Sequence, residues 1–184
     1  MTKKQDSAAK SRARRAQTVV GWRELVCLPD WGVSEVDAKV DTGARTSALH
    51  VEDLREEEEF LVFEVPTPTG PVTVREPMTR LSRVRPSSGE TQERFVVETV
   101  MKLGPIERTV EISLSSRDNM LTAMLVGRRA LRPRVLVDPL RRYLHGRPSV
   151  EPNDLDSEDL RDEAEGLAEA AAAEKEHDQE TEEP

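Results

Sequence analysis

The sequence predicts an all-β domain, and three observations predict it. Short apolar runs alternate with polar residues at a period of two, clusters of Gly, Pro and Ser separate the runs, and between Gly21 and about His145 only Gly127–Leu131 reads as a helix. The domain is expected to span residues 21–147, between a basic tail (1–20) and an acidic tail (148–184).

Along the chain, residues 1–20 hold six Lys or Arg against Asp6 and show no periodic apolar face, so disorder is expected there. Val36, Ala38 and Val40 alternate with Glu35, Asp37 and Lys39, which predicts a strand that delivers Asp41 at its end. Phe60–Val65 and Val72–Val74 flank Pro66-Thr67-Pro68-Thr69-Gly70-Pro71. Its prolines bar that segment from a sheet interior and suit an exposed hairpin tip. Phe95, Val97, Thr99, Met101 and Leu103, then Gly104-Pro105, then Ile106, Val110, Ile112 and Leu114 predict a long hairpin. In the acidic tail, Leu155–Lys175 is rich in Ala and Glu but has few large apolar residues, so a solvated, fraying helix is the expectation.

The apolar fraction is 36% and the charged fraction 34%. Residues 151–184 carry fifteen Asp or Glu against Arg161 and Lys175, and removing both tails from the formal −9 leaves the middle near −1. Nucleic acid is therefore not an expected partner. No stretch has the length of a membrane span, and the basic start lacks the apolar run of a signal peptide, so a cytoplasmic protein without membrane contact is expected. The lone Cys27 agrees, and reads as a small buried hydrophobe rather than a reactive thiol.

The chemistry centres on Asp41-Thr42-Gly43-Ala44, at the end of an alternating strand. In an aspartic peptidase the Asp supplies half of a carboxylate pair, the Thr hydroxyl locks two loops together, and the Gly lets backbone N–H groups approach. Two carboxylates held close share one proton, so one acts as base toward a water while the other polarises the scissile carbonyl. No cofactor or metal is required. Asp, Thr and Gly are also common turn formers, so the tripeptide alone fits an ordinary turn.

A second motif, Met124-Leu125-Val126-Gly127-Arg128-Arg129-Ala130-Leu131, follows about eighty residues on. The two motifs, in this order and with a Pro/Gly hairpin tip between them, resemble a retropepsin protomer, in which the tip would be the flap. The resemblance is closer still to a bacterial and archaeal family that carries the label ATP-dependent zinc protease and is regarded as retropepsin-like. The matching segments are Lys39–His50, Leu125–Arg128 and Val135–Pro139. This resemblance implies a retropepsin-like acid-protease barrel protomer with one short helix, flanked by disordered tails. It implies a catalytic Asp41, Thr42 and Gly43, a substrate-binding Ala44, Arg45, Gly127 and Arg128, and association with ATP-grasp ligases that add glutamates to a ribosomal protein. With one Asp-Thr-Gly and too few core residues for two lobes, the enzyme is expected to be a homodimer.

The zinc label finds no support in the residues. There is no His-Glu-x-x-His, and the histidines are His50, His145 and His177. His50 reads as a hydrogen-bonded structural histidine rather than a ligand. No phosphate-binding Gly-Lys-Ser or Gly-Lys-Thr loop occurs either, so ATP dependence would come from a partner. Viral retropepsins carry an Asp where this chain has Arg45, and an Asn or Asp where it has Arg129, so their Asp-to-Arg brace cannot form in the same way. Arg45 and Arg128 then suit an acidic peptide substrate, unless Arg45 pairs with Asp138 or Glu52. The alternative to an active peptidase is a non-catalytic peptide-binding module of the same fold. A zinc hydrolase is a third reading.

Overall fold

A computed structural model describes residues 17–84, 92–115 and 122–150. Most of both expected tails lies outside these residues, as does the expected helix at Leu155–Lys175. The strands are β1 (Thr18–Gly21), β2 (Arg23–Leu28), β3 (Val33–Asp41), β4 (Ser47–His50), β5 (Glu52–Glu57), β6 (Phe60–Val65), β7 (Val72–Pro77), β8 (Arg80–Val84), β9 (Gln92–Leu103), β10 (Ile106–Ser115), β11 (Met124–Gly127) and β12 (Val135–Asp138). A 3-10 turn covers Pro29–Trp31, and α1 is Arg128–Leu131. Among the described residues no helix is long and apolar enough to cross a membrane.

Six strands close into a barrel in the order β10-β4-β11-β3-β2-β9, with β9 pairing back to β10 and β8 added on the far side of β9. Closure leaves the barrel itself no open edge. The alternation read in β3 holds: Val36, Ala38 and Val40 are buried, and Asp37 lies outside, where it receives the buried Arg23 guanidinium and the Tyr143 hydroxyl. The long hairpin turns at Gly104-Pro105 as expected, with Leu103 opposite Ile106. Ser113 would face outward by alternation but is buried, because α1 lies against β10 and β4; its hydroxyl donates to the Ser47 carbonyl. Cys27, expected to be buried, is half-buried because Val26 and Leu28 on either side of it take the inward positions of β2.

Strands β5, β6 and β7 form a separate three-stranded sheet. Phe63 packs edge-on against Trp31, with ring centroids 5.4 Å apart, and the Trp31 indole donates to Glu76. Trp31 stands two residues before the start of β3, whose nine residues carry the chain roughly 26 Å to Asp41. The Pro66–Pro71 tip therefore belongs to a sheet anchored at the end of β3 away from Asp41, and it is not the hairpin that borders the Asp41 loop. Strand β5, Glu-Asp-Leu-Arg-Glu-Glu, lacks an apolar alternation because it is an exposed edge strand, where charge discourages further pairing.

The described residues begin within the expected basic tail. Thr18–Gly21 pair in parallel with Val135–Asp138, and Val20 is fully buried. A tertiary partner more than a hundred residues away orders a segment too short to show a period. The segment after β12 returns over this corner: Trp22 N–H donates to Arg141 C=O, and Tyr143 N–H donates to Arg23 C=O. Glu24, 0% exposed, fastens the corner by accepting from the N–H groups of Gly21 (2.6 Å), Leu144 (3.1 Å) and His145 (3.2 Å).

Candidate active site

The Asp41 loop emerges where three strands meet. Strand β11 runs parallel to β3 and antiparallel to β4, and places Gly127 in register with Asp41. The chain between β3 and β4 must therefore cross the end of β11. A Cβ on Gly127 would stand 2.5 Å from both C and O of Thr46, so only glycine lets the loop pass. Gly127 N–H donates to Ser47 Oγ (3.2 Å), Arg128 N–H to Ala44 C=O (2.9 Å), and Arg129 N–H to Arg45 C=O (3.1 Å). Together these tie both sides of the loop to the start of α1.

Within the loop, Asp41 Oδ1 accepts from the N–H groups of Gly43 (2.8 Å) and Ala44 (3.0 Å). A Cβ on Gly43 would lie 3.1 Å from Asp41 Oδ1, which is the close approach expected of that glycine. No hydrogen bond engages Asp41 Oδ2 among the described residues. Thr42 is exposed at the loop's crest. The Arg128 guanidinium donates from Nη1 to the carbonyls of both Thr42 and Gly43, each at 2.9 Å. Arg128 thus braces the loop that carries Asp41 through backbone carbonyls, in place of the Asp-to-Arg pairing of viral retropepsins.

Two concavities flank the loop. One, of about 540 Å³, is lined by Arg45, Thr46, Arg80, Ser82, Arg83, Glu111 and Arg129. Here Glu111 receives Arg80 through Nε and Nη2 (3.2 and 3.0 Å) and Arg129 through Nη1 (2.7 Å). The Arg80 hydrogen bonds hold the Glu111 carboxyl below its usual range against the opposing effect of burial, with further help from Arg129. Arg45 is exposed and forms no ion pair among the described residues. Neither acid considered for it is its partner: Asp138 binds Arg141 at 2.7 Å, and Glu52 lies 3.8 Å from His50. The other concavity, about 190 Å³, is mostly apolar and lined by Thr42, Arg128, Leu131, Arg132, Pro133, Val135 and Val137.

The structure therefore gathers Asp41, Thr42, Gly43, Ala44, Gly127 and Arg128 at one point, and sets Arg45 on the adjoining basic wall. Sequence reasoning missed Arg80, Arg83 and Glu111. Arg80 and Arg83 are close in sequence, and that local basic excess was the only signal available. Near His50 the one acidic neighbour is Glu52 at 3.8 Å, and among the described residues no three His, Cys, Asp or Glu side chains converge. His50 Nδ1 is buried without a hydrogen-bond partner, which differs from the structural role expected of it.

The family model for the RimB-like group, described as retropepsin-like aspartic endopeptidase RimB, matches residues 19–148. A probable alpha-L-glutamate ligase of Desulfotalea psychrophila is 34% identical over 144 residues, covering 74% of this chain and 31% of that protein. Another, from Parasynechococcus marenigrum, is 38% identical over 129 residues, covering 66% of this chain and 28% of that protein. The chain thus spans just under a third of the length of these curated relatives. A Legionella pneumophila protein of unknown function (DUF785) has a crystal structure that aligns with a TM-score of 0.60 at 30% identity, covering 70% of this chain and 98% of that one.

Proposed function

This chain belongs to the RimB-like family of retropepsin-like aspartic endopeptidases, and we propose that it hydrolyses peptide bonds as a homodimer, with a water activated between the two Asp41 carboxylates. The observation that carries this reading is the asymmetric use of Asp41: Oδ1 is pinned by two loop N–H groups, and Oδ2 is left for chemistry. One Asp41 takes a proton from the water as its oxygen attacks the scissile carbonyl carbon. The other, protonated, donates to the carbonyl oxygen. The resulting diol collapses, the C–N bond breaks, the departing amine takes up a proton, and a carboxyl and an amine leave. No step needs a metal or a covalent intermediate.

Each protomer carries one such loop, so the site is half-built without a second copy. Two features support a partner on this face. Thr42 stands exposed at the crest, and the apolar concavity that adjoins it is lined by Leu131, Val135 and Val137.

The substrate is proposed to be an acidic or glutamylated peptide. Support comes from four arginines against one glutamate in the larger concavity, with planar guanidiniums suited to carboxylates. The names of the ligase relatives point the same way, and association with a glutamate ligase in the cytoplasm is part of the proposal. The same arginines favour the second reading, a binding module that holds acidic peptides without cutting them. Incubating the full chain with Glu-rich and neutral peptides, beside an Asp41→Asn control, separates the two by mass spectrometry. Site-specific cleavage with a bell-shaped pH profile supports the peptidase. Saturable binding without products supports the module.

A further inference from the structure

We propose that the arginine-lined concavity beside the Asp41 loop is a docking site for the chain's own acidic segment, residues 151–184, which competes there with peptide ligands. Arg45, Arg80, Arg83 and Arg129 line it with Glu111 as the one acid. Its fitness for carboxylates is already displayed within the fold, because Glu111 is held in a fork by Arg80 and a second time by Arg129. Two cations remain for a ligand. Arg45 has no ion pair among the described residues, and Arg83 has only an exposed pair with Glu93, which a competing carboxylate can replace at little cost.

The occupant follows from charge and reach. Residues 151–184 hold fifteen Asp or Glu against two basic residues, whereas the rest of the domain is nearly neutral. The described chain ends at Val150, just after Ser149 bonds Glu35 Oε1 through both N–H and Oγ at 2.9 Å. Glu35 precedes Asp41 by six residues on β3, a distance of roughly 20 Å along the strand. Thirty-four residues span roughly 30 Å even as a random coil. Tethering at that range supplies an effective concentration approaching the millimolar range, so a weak ionic contact is enough to compete. Competition with substrate is a consequence that rests on the proposed peptidase reading, while docking itself does not.

The experiment is therefore built on binding, with Asp41→Asn in every chain so that no probe is cut. The probe is a fluorescein-labelled ten-residue Glu-rich peptide, followed by anisotropy. The native full chain is compared with a full chain whose Asp and Glu at 151–184 are changed to Asn and Gln. The neutralised chain is expected to bind the probe roughly two- to tenfold more tightly at low salt. The difference should vanish near ~0.5 M salt, where the screening length falls to a few ångströms. A synthetic peptide of residues 151–184, added in trans, should displace the probe from the neutralised chain but not from its Arg45→Ala/Arg83→Ala version. Equal probe affinity in native and neutralised chains at low salt would overturn the proposal. So would a tail peptide that binds both arginine backgrounds equally, or one that binds only a peptide of residues 1–20. Turnover by the chain with Asp41 intact is read separately, so failure of the peptidase reading leaves the docking result standing.

Discussion

Glu24 and Asp41 are both carboxylates that accept backbone N–H groups, and the two regions they organise differ in what is left over. Glu24 is fully buried and uses both oxygens on three donors, which join the β1–β2 corner to the segment after β12. Asp41 sits in a partly open loop and uses one oxygen on two donors, while Arg128 takes up the loop's outward carbonyls. A carboxylate with both oxygens engaged in a dry site is a fastener. One that is held from a single side and faces water can still exchange a proton or meet a second carboxylate.

The contrast is broken most directly by Asp41→Asn. Turnover should fall by roughly 10²–10⁴-fold or more, while the melting temperature stays within a degree or two of the parent, because the amide oxygen can still accept from Gly43 and Ala44. A large loss of thermal stability would mean that Asp41 is a fastener too. Glu24→Ala should do the reverse. It strands three backbone donors and should cost about 3 kcal/mol, or about 10 °C in melting temperature, measured by calorimetry on the full chain. Residual folded protein should keep its activity.

Gly127→Ala tests whether the loop depends on a close backbone crossing. With Thr46 in the way, the strands must separate, at about 1–3 kcal/mol. A misplacement near 1 Å lowers turnover by about 10²-fold, so kcat should drop far more than stability does. The smallest effect is expected at Glu111, whose carboxyl the Arg80 hydrogen bonds hold below its usual range. A carboxyl whose folded pKa is depressed contributes stability above its unfolded value and loses it as the pH falls through the folded value. Between about pH 6 and pH 3, Glu111→Gln should therefore lose less stability than the parent, by roughly 1 kcal/mol or less given the exposure of Arg80 and Arg129. Parallel acid titrations by circular dichroism check the sign.

The sequence by itself determined the all-β class, the strand that delivers Asp41, and the long hairpin turning at Gly104-Pro105, while the two motifs at Asp41 and Gly127 were joined only by resemblance. The class, the strand and the hairpin are legible because side-chain alternation and turn chemistry are local. Only the tertiary structure decided the rest. Strand β1 is set by a partner strand more than a hundred residues away, and β5 by its place at a sheet edge, so neither needs a periodic pattern of its own. The flap assignment for Pro66–Pro71 failed for a related reason: a Pro/Gly tip announces a turn, but which end of the barrel it occupies depends on Trp31 packing against Phe63. Arg128 looked like a ligand-binding cation and became a brace, because carbonyls of the folded loop converge on it at 2.9 Å. Arg80, Arg83 and Glu111 meet Arg45 only when the barrel closes and carries β8 to the rim of the active loop, a proximity between distant segments that no local pattern encodes.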